Sequence, residues 1–314
     1  MPALKADFEL RGKASPQNLC YLKRVSADFG DYCATALTAE KIDEYIERRL
    51  AEGSARASVN RVTQLLGQCF VLAIRRGHLN RAPYIRHLSE KGNERQDFFS
   101  EQEFDAVLAH LPEDLKDFAR FAYITGMRSG EIKSLTWSNV QGDVLTLRGE
   151  NAKNGEARSV SLIGELAGIL ERRKAARQVK VNGVLQMSEF FFHRGNGRQV
   201  GEFRKAWQTA CLAAGVAQMI CPQCESSGIE KRCPTCKKAR KYSGKIFHSF
   251  RRSACRNLTQ AGVPQQVAMR ISGHKTDSMF RRYNIVVTDD LRTALQRTEQ
   301  YRATAAQQKV VAMR

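Results

Sequence analysis

The chain has 314 residues, room for two domains at roughly 150 residues each. Hydrophobic residues at 42% and charged residues at 26% are ordinary for a globular protein, and no apolar run approaches the ~18 residues of a membrane helix. Lysine and arginine number 51 against 32 acidic residues, a net charge of +19 that repels itself unless the partner is a polyanion. Nucleic acid fits this excess better than an anionic membrane, because no basic helix carries a strongly apolar face. The opening Met-Pro-Ala-Leu lacks the apolar core of a secretory signal, so a cytoplasmic, nucleoid-associated protein without membrane partners is expected.

In chain order, a helical segment is expected from about Leu19 to Leu88. Ile42, Ile46 and Leu50 recur every four residues after Thr38, a suitable N-cap. Ser58 is the candidate cap of a second helix with Val59, Val62, Leu66, Cys69 and Phe70 on its apolar face. Cys69 there reads as a small core residue. The polar stretch Ser89 to Asp97 reads as a linker, dividing the chain into domains 1–92 and 93–314. Ser100-Glu-Gln-Glu103 is a capping box ahead of Phe104 and Val107. Val144–Arg148 and Arg158–Leu162 read as a hairpin around Asn154-Gly155. Helical patterns follow on Phe203, Trp207 and Cys211, on Phe250, Ala254 and Leu258, and on Val267 and Ile271. From about Tyr301 the chain reads as a mobile tail.

Cys20, Cys33, Cys69, Cys211 and Cys255 are scattered, whereas Cys221, Cys224, Cys233 and Cys236 form two C-x-x-C pairs with eight residues between them. That spacing is the signature of one tetrahedral Zn²⁺ held by four thiolates, one per chain. Four protein ligands leave no open coordination position, so the metal would be structural. Fe²⁺ accepts the same geometry.

Three further motifs carry chemistry. Arg128 lies in Thr125-Gly-Met-Arg-Ser-Gly-Glu131, beside the start of a helical pattern where an anion is welcome. His248-Ser-Phe-Arg251 sets a His and an Arg on one helical face, suited to two oxygens of a phosphodiester. Ser272-Gly-His274 is followed nine residues on by Tyr283, flanked by basic residues. Each alone reads first as a solvated or packing residue.

Together, in this order and spacing, they resemble the tyrosine recombinase (phage integrase) family, with its pattern Arg, His-x-x-Arg, Gly-His, Tyr. The segment Asn151-Ala-Lys153-Asn-Gly-Glu is similar to the family's hairpin lysine, and residues 1–92 look like its helical, SAM-like core-binding domain. The resemblance implies a mainly α fold with a small β-sheet (α+β). It also implies a DNA-cleaving and rejoining enzyme acting as a homo-tetramer on two double-stranded DNA sites, with the two domains clamping the duplex. Tyr283 would attack phosphorus to give a 3′-phosphotyrosine. Arg128 and Arg251 would hold the non-bridging oxygens, His248 would take the tyrosine proton, Lys153 would protonate the leaving 5′-oxygen, and His274 would bond the phosphate. Attack raises the charge on the phosphate from one to about two, and these groups supply the opposing charge. The covalent link conserves bond energy, in keeping with the lack of a G-x-x-x-x-G-K-[ST] nucleotide loop. Glu131 reads as a buttress for Arg128.

The chain departs from the family in the 32 residues between Gly215 and His248, where a zinc-knuckle insertion at about 217–246 is expected. Residues 221–245 hold seven basic and two acidic side chains, suiting the insert to DNA backbone or to a partner subunit. The rival reading is a non-catalytic, zinc-containing DNA-binding protein, with Gly262–Ile271 as a helix-turn-helix piece. A binder would have no use for Tyr283.

Overall fold

A computed structural model describes residues 2–92, 95–152, 155–283, 286 and 288–311. The chain forms two compact units, 1–94 and 95–314. The first consists of helices α1 (Pro2–Leu10), α2 (Pro16–Phe29), α3 (Ala39–Ala51) and α4 (Arg56–Arg75). Ser15 and Thr38 cap α2 and α3 through their hydroxyls. Helix α4 starts before Ser58: the Val59 N–H reaches the Ala55 carbonyl at 3.1 Å, so Ser58 lies inside the first turn. Burial of Val59, Val62, Leu66 and Phe70 against Val25, Phe29 and Ile42 sets that helix. At about 1.5–3 kcal/mol per fully buried apolar side chain, this outweighs a cap worth about 1 kcal/mol. Cys69 packs half-buried on the same core. Asn60 ties down the chain after α4, exchanging two 2.9 Å hydrogen bonds with the Leu88 backbone.

In the second unit, Ser100 and Glu103 form the capping box of α5 (Glu101–His110). Helix α6 (Glu113–Thr125) and the short α7 (Ser129–Lys133) lead to an antiparallel sheet of β1 (Val140–Gln141), β2 (Val144–Leu147) and β3 (Arg158–Ser161), in that order. Leu145 opposes Val160 and Leu147 opposes Arg158, so Arg158 and Val160 share the inward face. Next come α8 (Glu165–Ala175), a hairpin of β4 (Gln178–Val181) and β5 (Val184–Met187), and α9 (Arg204–Ala213). A second three-stranded sheet follows, formed by β6 (Ala217–Ile220), β7 (Ser227–Gly228) and β8 (Lys241–Gly244) with β6 central. Helices α10 (Ser249–Gln260), α11 (Gln265–Ser272), α12 (Asp277–Arg281) and α13 (Thr288–Val311) complete it. The architecture is mainly helical with small antiparallel sheets. Residues 301–311, part of the segment expected as a mobile tail, continue α13. Among the described residues no helix is long and apolar enough to cross a membrane.

An aromatic cluster fixes α10. Phe250, 1% exposed, packs with Phe99, Phe104, Tyr123, Trp207 and Phe247 at ring distances of 4.9–5.6 Å. Such pairs add about 0.5–1.5 kcal/mol each beyond the area they bury. Ser253 accepts the Phe99 N–H at 2.7 Å, and Ser249 donates to Asp97. The first turn of α10, between Phe247 and Phe250, is therefore held from below, and His248 and Arg251 emerge from it.

Candidate active site and metal centre

Two glycines bring helix ends to Arg251. Gly126 ends α6 at φ +64° and Gly273 ends α11 at φ +69°, the left-handed region where a side chain costs about 1–2 kcal/mol. The carbonyls so exposed are the negative ends of two helices. Arg251, 1% exposed, lies among them: Nη1 donates to Gly126 O at 2.6 Å and to Ser272 O, and Nη2 to Gly273 O at 3.4 Å. Its Nε donates to His274 Nε2 at 3.2 Å. Of the five N–H donors of a guanidinium, one on Nη2 is left. Burial and the neighbouring Arg128 pull the Arg251 pKa down to about 10, so it stays charged at neutral pH.

His274 is arranged by the same turn. The Ser272 hydroxyl donates to Ala268 O at 2.7 Å and therefore accepts from His274 Nδ1 at 2.8 Å. Nε2 is then the lone pair that receives Arg251, a tautomer assigned from this network. Burial, then Arg251, Arg128, Arg158 and His248, push the imidazole down to about 3, so it stays neutral. Both nitrogens are engaged within the protein. In this arrangement His274 aims Arg251, and no ring N–H remains for a phosphate.

Arg128 immediately precedes α7, and Glu131 holds it twice. Oε2 accepts the Arg128 backbone N–H at 3.0 Å, and Oε1 accepts Nη1 at 2.9 Å. Glu131 is 3% exposed, and Arg158 from β3 donates to its Oε2 at 2.6 Å. Burial opposes the ionisation of Glu131, but Coulombic attraction to Arg158 and the hydrogen bonds from Arg128 and Arg158 outweigh it, and its pKa is lowered.

Tyr283 follows α12. Its Oη lies 3.1 Å from His248 Nε2. Its ring is 4.7 Å from that of His274, with the Arg251 and Arg252 guanidiniums 5.4 and 5.5 Å from its centroid. The structure thus gathers Arg128, His248, Arg251, His274 and Tyr283, all from one chain. Lys153 lies outside the described residues. Arg158 was not singled out in the sequence. Its only signal there is its position two residues before Val160, a charged group on the inward face of a strand.

The four cysteines of the insert also converge. Their Sγ atoms all lie within 4.8 Å of one another, with Cys221–Cys236 at 3.3 Å, Cys224–Cys233 at 3.4 Å and Cys224–Cys236 at 3.9 Å. A tetrahedral ion with bonds of about 2.3 Å needs sulfur–sulfur edges of about 3.8 Å. The two halves repeat one geometry: Glu225 N–H bonds Cys221 O and Lys237 N–H bonds Cys233 O, each at 3.0 Å. Glu225 and Lys237 adopt φ +55° and +59°, left-handed for non-glycine residues. Backbone N–H groups of Cys224 and Gln223 lower the Cys221 thiol, and those of Cys236 and Thr235 lower Cys233, which favours thiolates at these two positions, whereas Cys236, despite the Lys238 N–H, is raised by its hydrogen bond to Cys221 and by burial. This donor set suits a metal ion. The insert joins the core at its base, where Trp207 Nε1 and Tyr242 Oη donate to Lys245 O at 3.1 and 2.9 Å and Lys245 pairs with Glu103.

The profile of the phage integrase family matches residues 97–289. A putative integrase/recombinase of Haemophilus influenzae is 28% identical over 261 residues, covering 80% of this chain and 72% of that protein. The integrase of Salmonella phage P22 is 24% identical over 214 residues, and the chain spans about half of its length, 47%. Among solved structures, a lambda integrase tetramer bound to a Holliday junction superposes with TM-score 0.68 at 17% identity, covering 90% of this chain and 76% of that one. The Tn1549 transposon integrase in complex with circular intermediate DNA gives 0.66 at 15%, covering 94% and 98%. With the family profile matched over most of the chain and the fold shared, the chain belongs to the phage integrase family.

Proposed function

We propose that the protein is a site-specific DNA recombinase that cleaves and rejoins double-stranded DNA through a 3′-phosphotyrosine. The observation that carries this reading is the 3.1 Å approach of His248 Nε2 to Tyr283 Oη beside the buried, charged Arg251. Tyr283 Oη attacks the scissile phosphorus, its proton passes to His248 Nε2, and the bond to the 5′-oxygen breaks. Lys153 protonates that oxygen. Arg251, through its remaining Nη2 N–H, and Arg128 oppose the charge that grows on the non-bridging oxygens. His274, neutral, keeps Arg251 aimed. Attack of a free 5′-hydroxyl reverses the steps, so no ATP is consumed.

Exchange between duplexes needs two sites and four active centres, which the related structure of lambda integrase as a tetramer on a Holliday junction supports as the working assembly. Zn²⁺ bound by Cys221, Cys224, Cys233 and Cys236 serves as a structural ion that folds the insert. The basic side chains of the insert, such as Lys237, Lys238 and Lys241, suit the DNA backbone. The test is a pool of nicked duplexes with a randomised core. Cleavage near the nick releases a short 5′-hydroxyl strand and traps the adduct. Recovery of a denaturation-resistant protein–DNA adduct is the expected result; binding without any adduct would leave a non-catalytic DNA-binding protein.

A further inference from the structure

Three guanidinium groups meet at the site, from Arg128, Arg158 and Arg251, and the described carboxylate that faces them is Glu131. The Arg158 side chain is 8% exposed, and its Nε and Nη1 are buried with no acceptor among the described residues. Its guanidinium lies on Gly273: a Cβ there would stand 1.8 Å from Arg158 Nη1. Glycine is thus required before His274 both for its backbone angle and to admit this arginine. A buried cation with open donors, next to two others, is costly unless an anion completes the site.

Glu131 shows how Arg158 acts on its neighbours. Its Oε2 is shared between the Arg128 backbone and Arg158 Nη2, while Oε1 accepts Nη1 of Arg128. Were Arg158 absent, Oε2 would lose its 2.6 Å partner and could turn onto the Arg128 guanidinium. A bidentate pair is the stronger arrangement for an arginine and a carboxylate, and it would withdraw Arg128 from its other duty.

We propose that Arg158 is a positioning residue for the scissile phosphate: it keeps Glu131 from closing on Arg128. The inference rests on the proposed chemistry at Tyr283. It is tested with Arg158→Gln and Arg158→Lys, each alone and combined with Arg128→Ala, on a nicked duplex that forms the adduct with the wild-type chain. Single-turnover cleavage, DNA affinity and melting are read for each. Arg158→Gln should slow cleavage about 10- to 100-fold, less than the 10²–10³ of a lost direct donor, with affinity changed by less than about threefold. Arg158→Lys, which keeps the charge, should recover part of the rate. In the Arg128→Ala background Arg158→Gln should cost little more, since both act through one group.

A full-rate Arg158→Gln would overturn the proposal, as would losses that multiply in the double variant. Equal losses of affinity and rate would make Arg158 an ordinary backbone contact and overturn it as well. If Arg158→Gln melts below the assay temperature, Arg158→Lys carries the same comparison: a slowed rate at unchanged affinity, absent in the Arg128→Ala background, is expected, and a wild-type rate overturns the proposal. A wild-type chain that forms no adduct refutes the reading of Tyr283 instead.

Discussion

Replacing Cys233 by serine tests how the metal centre is built and how far its influence reaches. Without an ion, residues 221–240 are held by a few contacts: at the base β6 and β7 pair over two residues and β6 and β8 over four, Arg232 bridges Ala239, and Arg240 donates to Ser226 and Ser227. Ile229 is 72% exposed and buries little. Glu225 and Lys237 each sit in a left-handed conformation costing about 1–3 kcal/mol. A small sheet of this kind is marginal in water. Structural Zn²⁺ in finger peptides contributes about 10–16 kcal/mol, far more than these terms together, so its loss should unfold the knuckles. The unfolding should stop at the base. Lys245 O keeps two hydrogen bonds of about 0.5–1.5 kcal/mol each, and Phe247 and Phe250 remain in the aromatic cluster. Hydrogen exchange should therefore accelerate over 221–240 and stay slow in the first turn of α10. Cleavage of a nicked duplex should fall by less than about tenfold, or 1.4 kcal/mol, while binding weakens with a shallower salt dependence. Elemental analysis of the wild type should find one Zn²⁺ per chain. A metal-free wild type would refute the centre, and loss of protection at 248–252 would refute the isolation of the active site.

Other consequences follow from the same geometry. Arg251→Ala strands the Gly126 and Ser272 carbonyls in the interior and should cost about 3 kcal/mol in urea denaturation, whereas in Arg128→Ala Glu131 keeps Arg158 and the cost should be near 1 kcal/mol; equal costs would contradict the assignment of donors. Both should slow cleavage by about 10²–10³. His274 is held near 3 in the fold, against about 6.5 for a free histidine, so the unfolded chain binds its proton first on acidification. Its contribution to stability is complete above pH ~6.5 and is lost as pH falls toward 3. The urea midpoint should drop between pH 7 and 5 in the wild type and less in His274→Gln; parallel curves would refute the neutral, buried imidazole. Gly126→Ala should destabilise by about 1–2 kcal/mol, since it forces a left-handed alanine whose Cβ meets that of Ala254 at 3.0 Å; an unchanged midpoint would contradict it.

What could be read from the sequence follows the range of the forces involved. Thr38, the Ser100–Glu103 box and the two C-x-x-C turns act within three or four residues, and their chemistry is visible locally. The Ser58 cap misplaced the start of α4 because tertiary burial of its apolar face, not a hydroxyl, set that end. In α11 Val267, read as part of the apolar pattern, is 48% exposed, while Ala268 is buried with Cys255 and Phe280. Helix α1 was not read, α2 was read only as part of the helical segment from about Leu19, and the hairpin of β4 and β5 carries exposed Val184, Leu185 and Met187, which give no alternation to read. Arg158 meets Glu131 across 27 residues and Gly273 across the β3–α11 contact, so no local pattern announces it.

In the proposed chemistry Tyr283, next to His248, is the group that joins the protein to DNA. Adducts trapped on nicked duplexes, digested with protease and sequenced by mass spectrometry, test it most directly. A single nucleotide-bearing peptide containing Tyr283 in the wild type, and none from Tyr283→Phe at undiminished DNA binding, is the expected result. An adduct that persists in Tyr283→Phe, or one mapped to another residue, would contradict the account.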